Sequence, residues 1–159
     1  MKRKQKKYSV DDVYSIFRTI PKEEQTSNRL RLVACALSRL VWPLMDVRSQ
    51  FAVEVAEQFA KGEATRRQFM LGIEMADTVV REREAVSFER ELTDEEEALE
   101  QAAWAAWGLL QTKTPWKPLS VALRVVASAM LFQGKTEPET YGEICRVLRE
   151  SLAVPVACS

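Results

Sequence analysis

The chain predicts an all-α fold: a single compact bundle of about six or seven helices with mostly antiparallel neighbours. Three observations lead there. A threonine is followed three places on by Glu or Gln at the head of an apolar-periodic stretch in Thr65/Gln68, Thr93/Glu96 and Thr136/Glu139. In this capping box the hydroxyl accepts from the amide three residues on, and the longer side chain accepts from the threonine's own amide. No segment alternates apolar and polar residues with the period of two that a half-buried strand requires. Gly and Pro are scarce, and the prolines together with Gly62 and Gly134 fall where helices should stop or start.

Taken in order, Ser9 caps a first helix carrying Val13, Phe17 and Ile20, and Pro21 ends it. Lys22 to Ser27 reads as a polar loop. The second helix runs from about Arg29 to Trp42, is apolar nearly all round, and is terminated by Pro43; such a helix belongs at the centre. The third starts near Asp46, repeats Val47, Phe51, Val55 and Phe59 on one side with Ala52, Ala56 and Ala60 alongside, and closes at Gly62. The fourth opens at Thr65 and continues to about Arg90, with Phe69, Ile73, Ala76, Val79 and Val80 on one side and a charged end, Arg81-Glu-Arg-Glu84, expected to project. The fifth spans Thr93 to about Gln111 and places Trp104 and Trp107 on one face. The sixth begins at Thr114-Pro115, with that proline in the first turn, and ends at Gly134. The seventh opens at Thr136 and closes before Pro155.

A length of 159 residues with 47% hydrophobic side chains suits one domain with a real core. The expected organisation is a basic tail over residues 1–8, a helical domain over 9–153 and a C-terminal tail over 154–159. The longest apolar stretch, Leu119 to Phe132, is broken by Arg124 and is too short to cross a bilayer. Met1 to Lys7 has the charge of a signal-peptide start, but Tyr8-Ser-Val-Asp-Asp12 stands where the apolar segment should follow. Cys35, Cys145 and Cys158 are an odd, widely spaced set without a C-x-x-C pair, which fits a reducing cytoplasm, and the expected location is cytoplasmic.

The segment Arg29-Leu-Arg-Leu-Val-Ala-Cys-Ala-Leu-Ser-Arg-Leu-Val-Trp42, with Arg48-Ser49, Ala52-Val-Glu-Val-Ala-Glu57 and Ala60-Lys-Gly-Glu-Ala-Thr65, resembles a helical segment recurring in an uncharacterised family common in planctomycete-type bacteria. The resemblance, mainly over residues 29–65, implies a helical fold and a bacterial origin and transfers no catalytic residue. Members carry a cysteine cluster in this segment, whereas this chain keeps Cys35 and has Leu37 and Ser38 at the later places.

The chain contains no histidine, which removes Ser-His-Asp and Cys-His catalysis and every His-containing zinc or di-iron site. Carboxylate chemistry survives that exclusion. Glu54-x-x-Glu57 followed by Glu74-x-x-Asp77 is similar to the acidic signature of all-α nucleotide pyrophosphohydrolases resembling MazG, where four carboxylates hold magnesium. Such ligands must converge. On helices at a hundred degrees per residue, both pairs fall opposite the apolar faces. No catalytic residue, metal or cofactor is therefore assigned, and a MazG-like magnesium-dependent nucleotide pyrophosphohydrolase is kept as the least favoured alternative.

Two non-catalytic readings remain. The 23 basic and 23 acidic residues balance but are unevenly placed, basic up to about Arg67 and acidic from Glu82 to Glu100. Lys2, Arg3, Lys4, Lys6 and Lys7, backed by Arg29, Arg31 and Arg39, are candidates to neutralise phosphates in a small helical nucleic-acid-binding subunit of a larger ribonucleoprotein. Trp104, Trp107 and Trp116 lie beside the acidic start of the fifth helix, and aromatics ringed by charge are typical of interface centres. The leading expectation is a non-enzymatic protein-binding module or assembly subunit whose partner is another protein or a copy of itself, with no membrane and no cofactor.

Overall fold

The computed structural model describes residues 6–154. Within them lie seven α-helices: α1 (Val10–Arg18), α2 (Ser27–Ser38), α3 (Val47–Ala60), α4 (Arg66–Glu89), α5 (Asp94–Gly108), α6 (Lys117–Phe132) and α7 (Glu137–Ala153). No strand occurs among the described residues. Consecutive helices from α2 to α7 pack on one another through short connections, so they run back and forth, and α1 lies on α7.

The helix starts are written locally. Thr65, Thr93 and Thr136 each accept from the amide three residues on, and Gln68, Glu96 and Glu139 each accept from the threonine amide in return. Ser9 and Asp12 form a fourth box at α1. Glu96 also receives the Arg90 guanidinium, which with the Thr93 amide pulls its carboxyl down to about 2. The cap of α2, Thr26, has Arg29 rather than an acid three places on, so the pattern that marks the other starts is missing there.

The ends follow from backbone chemistry. Gly62 and Gly134 adopt φ of 75° and 87°, the left-handed conformation that costs glycine nothing. At each, the amide after the glycine reaches back five residues: Glu63 donates to the Gln58 carbonyl and Lys135 to the Met130 carbonyl. Pro43 acts earlier than expected. Its ring excludes an α-helical carbonyl four residues back, so α2 stops at Ser38 and the chain continues to Leu44 as a 3-10 segment. Likewise α6 starts at Lys117 rather than at Thr114-Pro115. Lys117 donates to the Thr114 carbonyl in a separate turn, and Pro118 takes the first-turn place.

The main core cluster draws on all seven helices, with Phe69 and Ala76 from α4, and a smaller one joins Val79 and Val80 of α4 to Ala103 of α5. As expected, α2 is central: it packs on α3, α5, α6 and α7. The buried side of α3 differs from the predicted stripe. Val47 is 75% exposed, while Ser49, Ala52, Val53, Val55, Ala56 and Ala60 are buried. Val47 sits at the first helical position, where side chains lean towards the N-terminus and no preceding turn of the helix lies beneath them. The alanines let α2 and α4 approach from two sides, so the buried band is wider than a single stripe. The charged end of α4 is partly tied down: Arg48 donates to both Asp46 and Glu82 at 2.7–3.3 Å, fastening α4 to the start of α3.

Candidate docking groove

The first helix has more apolar surface than α7 covers. Val13, Ile16 and Ile20 are buried, but Val10, Tyr14 and Phe17, at spacings of four and three, form a second apolar stripe. Opposite this stripe α6 presents Ser120, Leu123, Arg124, Ala127, Ser128 and Leu131, again at helical spacing. Between the two helices lies a groove of about 530 Å³, with Trp116 at one end and Tyr141 of α7 at the other. That volume falls in the range of sites that seat a ligand or an anchoring side chain.

Aromatic contacts hold the walls in place. Tyr14 meets Phe17 edge-on at 6.1 Å between centroids, and Phe17 meets Trp116 at 5.9 Å. The groove is open, for Tyr14 remains 48% exposed and Val10 37%. Its polar groups are few. Ser120 donates to the Lys117 carbonyl, and Arg124 stands exposed on the rim. Burial, Glu137 and Tyr14 together push the Tyr141 phenol above its usual value, so it stays a neutral donor. Lys117 follows Trp116 in the chain, Arg18 follows Phe17, and Arg124 stands about midway along the α6 wall; none of the three has an ion-pair partner among the described residues. The rim from the Trp116 end to the middle of the groove is therefore basic.

The three candidate tryptophans separate into two places. Trp104 and Trp107 meet edge-on at 5.0 Å and pack over Val79 and Val80 of α4, partly covered by their own helices. Trp116 belongs to the groove, beside Phe17 of α1. Sequence reasoning found Trp116 but not its neighbours Tyr14 and Phe17, which are brought to it only by the packing of α1.

The arginines of α2 and the turn after it are engaged within the fold. Arg31 is 3% exposed, donates to the Leu109 carbonyl at 2.9 Å and to the Gln111 carbonyl at 3.0 Å, and lies over the Phe59 and Phe69 rings. Arg29 donates to the carbonyls of Leu152 and Val154, closing the end of α7. Arg39 forms a two-pronged pair with Glu57 at 2.7 and 2.9 Å and lies over the Trp42 ring. Of the basic cluster, Lys6 pairs with Asp12 and sits over the Tyr8 ring, Lys7 is exposed, and Lys2, Arg3 and Lys4 lie outside the described residues.

The carboxylates of α3 and α4 do not come together as a set. Glu57 is taken by Arg39 and Asp77 by Arg81, Glu54 and Glu74 are exposed, and no group of three or more His, Cys, Asp or Glu side chains converges among the described residues. Cys35 and Cys145 are buried free thiols whose protonated form is favoured by desolvation; Cys158 lies outside the described residues. No described helix is long and apolar enough to cross a membrane. Met70 and Leu71 form another exposed apolar patch on α4. Compared with protein-family models, curated proteins and solved structures, the chain matches none of them.

Proposed function

We propose that the protein is a non-enzymatic helical binding module or assembly subunit, and that the groove between α1 and α6 is where its protein partner docks. The observation that carries this reading is an aromatic-walled apolar groove left open on a bundle whose other large aromatics are mostly covered. An open apolar surface is held at a cost in water that a docked side chain removes, at roughly 25 cal/mol per Å² buried. Tyr and Trp side chains at the centre of such a patch typically carry most of the binding energy.

The groove also selects. Its basic end favours an anchor followed by carboxylates, and its apolar floor favours an aromatic or aliphatic side chain over a phosphodiester backbone. The segment over residues 29–65 that carries the family resemblance builds α2 and α3, so in this reading it supplies the bundle's scaffold while α1 and α6 supply the site. A bacterial cytoplasm is the setting that accompanies the proposal.

Filling the groove tests it. Ser120 is exposed on the groove wall, so Ser120→Trp should occupy the cavity without disturbing the core. Tagged wild-type and Ser120→Trp chains, purified in parallel at low salt after nuclease treatment, should differ either by a protein species present in stoichiometric amount only with wild type or, where the partner is a further copy of the chain, by a larger size in solution only with wild type. Identical protein profiles with identical sizes in solution, or bound material that nuclease releases, would overturn the reading.

A further inference from the structure

The chain carries a second apolar feature that its own fold leaves uncovered. Phe88, in the last turn of α4, is 90% exposed, the most exposed large hydrophobic side chain described. Single exposed apolar residues are ordinary, but this one has particular surroundings. Glu84 precedes it by one helical turn, and Glu89 and Glu91 follow it. Of the cations on this stretch, Arg81 is engaged by Asp77 and Arg90 by Glu96, while Arg83 forms no ion pair among the described residues and its charge acts on Asp46, Glu82 and Glu100. Glu84, Glu89 and Glu91 have no ion-pair partner among the described residues.

The knob therefore has the properties that the groove selects for: an aromatic anchor with acidic flanks, against an apolar cavity with a basic end. They lie on different parts of the bundle. The helix bearing Phe88 packs on α3 and α5, whereas α1 packs on α7. Rigid helices held in this way keep the knob of one copy out of its own groove.

We propose that Phe88 of one copy seats in the α1–α6 groove of a second copy, with Glu89 and Glu91 facing Lys117 and Arg124, so that the chain assembles head to tail. This rests on the reading of the groove as a protein-docking site and names its partner. Because knob and groove are different surfaces, the contact is heterologous, and each bound copy still offers one of each. Assembly then grows with concentration instead of stopping at a two-fold dimer. Salt should weaken it by screening the rim pairs without abolishing the apolar contact.

Sedimentation of the full chain over a range of concentrations, with variants at exposed positions, tests the proposal. Wild type should sediment as progressively larger species. Phe88→Ser should weaken association by at least roughly thirtyfold, the loss expected for a buried aromatic anchor, and leave a species of 18.1 kDa. Ser120→Trp and Arg124→Glu should weaken it from the groove side. The decisive arm mixes Phe88→Ser, which retains a groove, with Ser120→Trp, which retains a knob. Each alone should be monomeric, and together they should form a complex of twice 18.1 kDa and nothing larger. A wild type that stays monomeric, a Phe88→Ser chain that associates like wild type, or a mixture that fails to pair overturns the proposal. If the chain stays monomeric while Ser120→Trp still loses a captured protein, self-pairing falls and the docking groove stands; if the chain stays monomeric and Ser120→Trp captures what wild type does, both fall.

Discussion

Replacing Gly108 by alanine should lower the stability of the bundle by about 2–3 kcal/mol, against the usual helix preference. In an isolated helix the change would help, since alanine is favoured over glycine by about 1 kcal/mol. Packing reverses the sign. A Cβ on Gly108 would lie 2.4 Å from the nearer Val121 methyl and 2.9 Å from Val121 Cβ. A rotamer change can move the methyl, but Val121 Cβ is fixed to the backbone of α6. The α5–α6 pair, joined by a short turn and closely packed, must therefore separate. In thermal unfolding this should appear as a drop of roughly 4–12 °C for a domain of this size. Val121→Ala removes both methyls, so the double variant should be more stable than the sum of the two single losses by about 1 kcal/mol. Gly72 provides the contrast, because there the nearest atom is a Val55 methyl at 3.1 Å, at the end of a side chain. Gly72→Ala should change stability by less than about 1 kcal/mol.

Replacing Arg31 by methionine should cost about 2–3 kcal/mol, although the change makes the core more apolar. Two effects oppose each other. Burial disfavours the charged guanidinium and holds it below its usual value, so methionine gains by removing that penalty. The larger effect is on the other side. Arg31 donates to Leu109 and Gln111, whose carbonyls follow the end of α5 and would be left without that donor, at about 1–3 kcal/mol for a buried acceptor. The positive charge also lies at the C-terminal end of α5 and over two aromatic rings, both favourable places for it. Lysine should recover only part of the loss. A single ammonium does not span both carbonyls or lie flat on the Phe59 and Phe69 rings. Denaturant unfolding of the three chains should give the order wild type, Arg31→Lys, Arg31→Met, with an unchanged slope.

These two sites mark the boundary of what one sequence discloses. The capping boxes at Thr65, Thr93 and Thr136 were legible because donor and acceptor lie within a single turn. So were the glycine stops at Gly62 and Gly134, for the same reason. Thr26 escaped notice because its cap has no reciprocal acid, and the end of α2 was placed four residues late because Pro43 acts on the carbonyl four places before it. Gly108 reads in the sequence as a weak point in a helix; only Val121 explains it. Arg31 reads in the sequence as a candidate for phosphate on an otherwise apolar helix, and its partners are 78 and 80 residues away.

The groove follows the same logic. Trp116 was conspicuous as an aromatic near charge, but its wall is completed by Tyr14 and Phe17 from the far end of the chain. The signal that was present in α1 is the second apolar stripe, Val10, Tyr14 and Phe17, wider than one neighbouring helix can cover. Phe88 was hidden in a run read simply as charged. A lone aromatic within such a run is the feature that would have singled it out.

The measurement that bears most directly on the docking groove is photo-cross-linking from two positions in cells, with benzoylphenylalanine in place of the exposed groove-wall aromatic Tyr14 or at Met70 on the competing apolar patch of α4. Adducts from position 14 that protease degrades and nuclease does not, together with few or none from Met70, are the result the docking groove predicts. Adducts from Met70 alone, or nuclease-sensitive adducts from position 14, would contradict it.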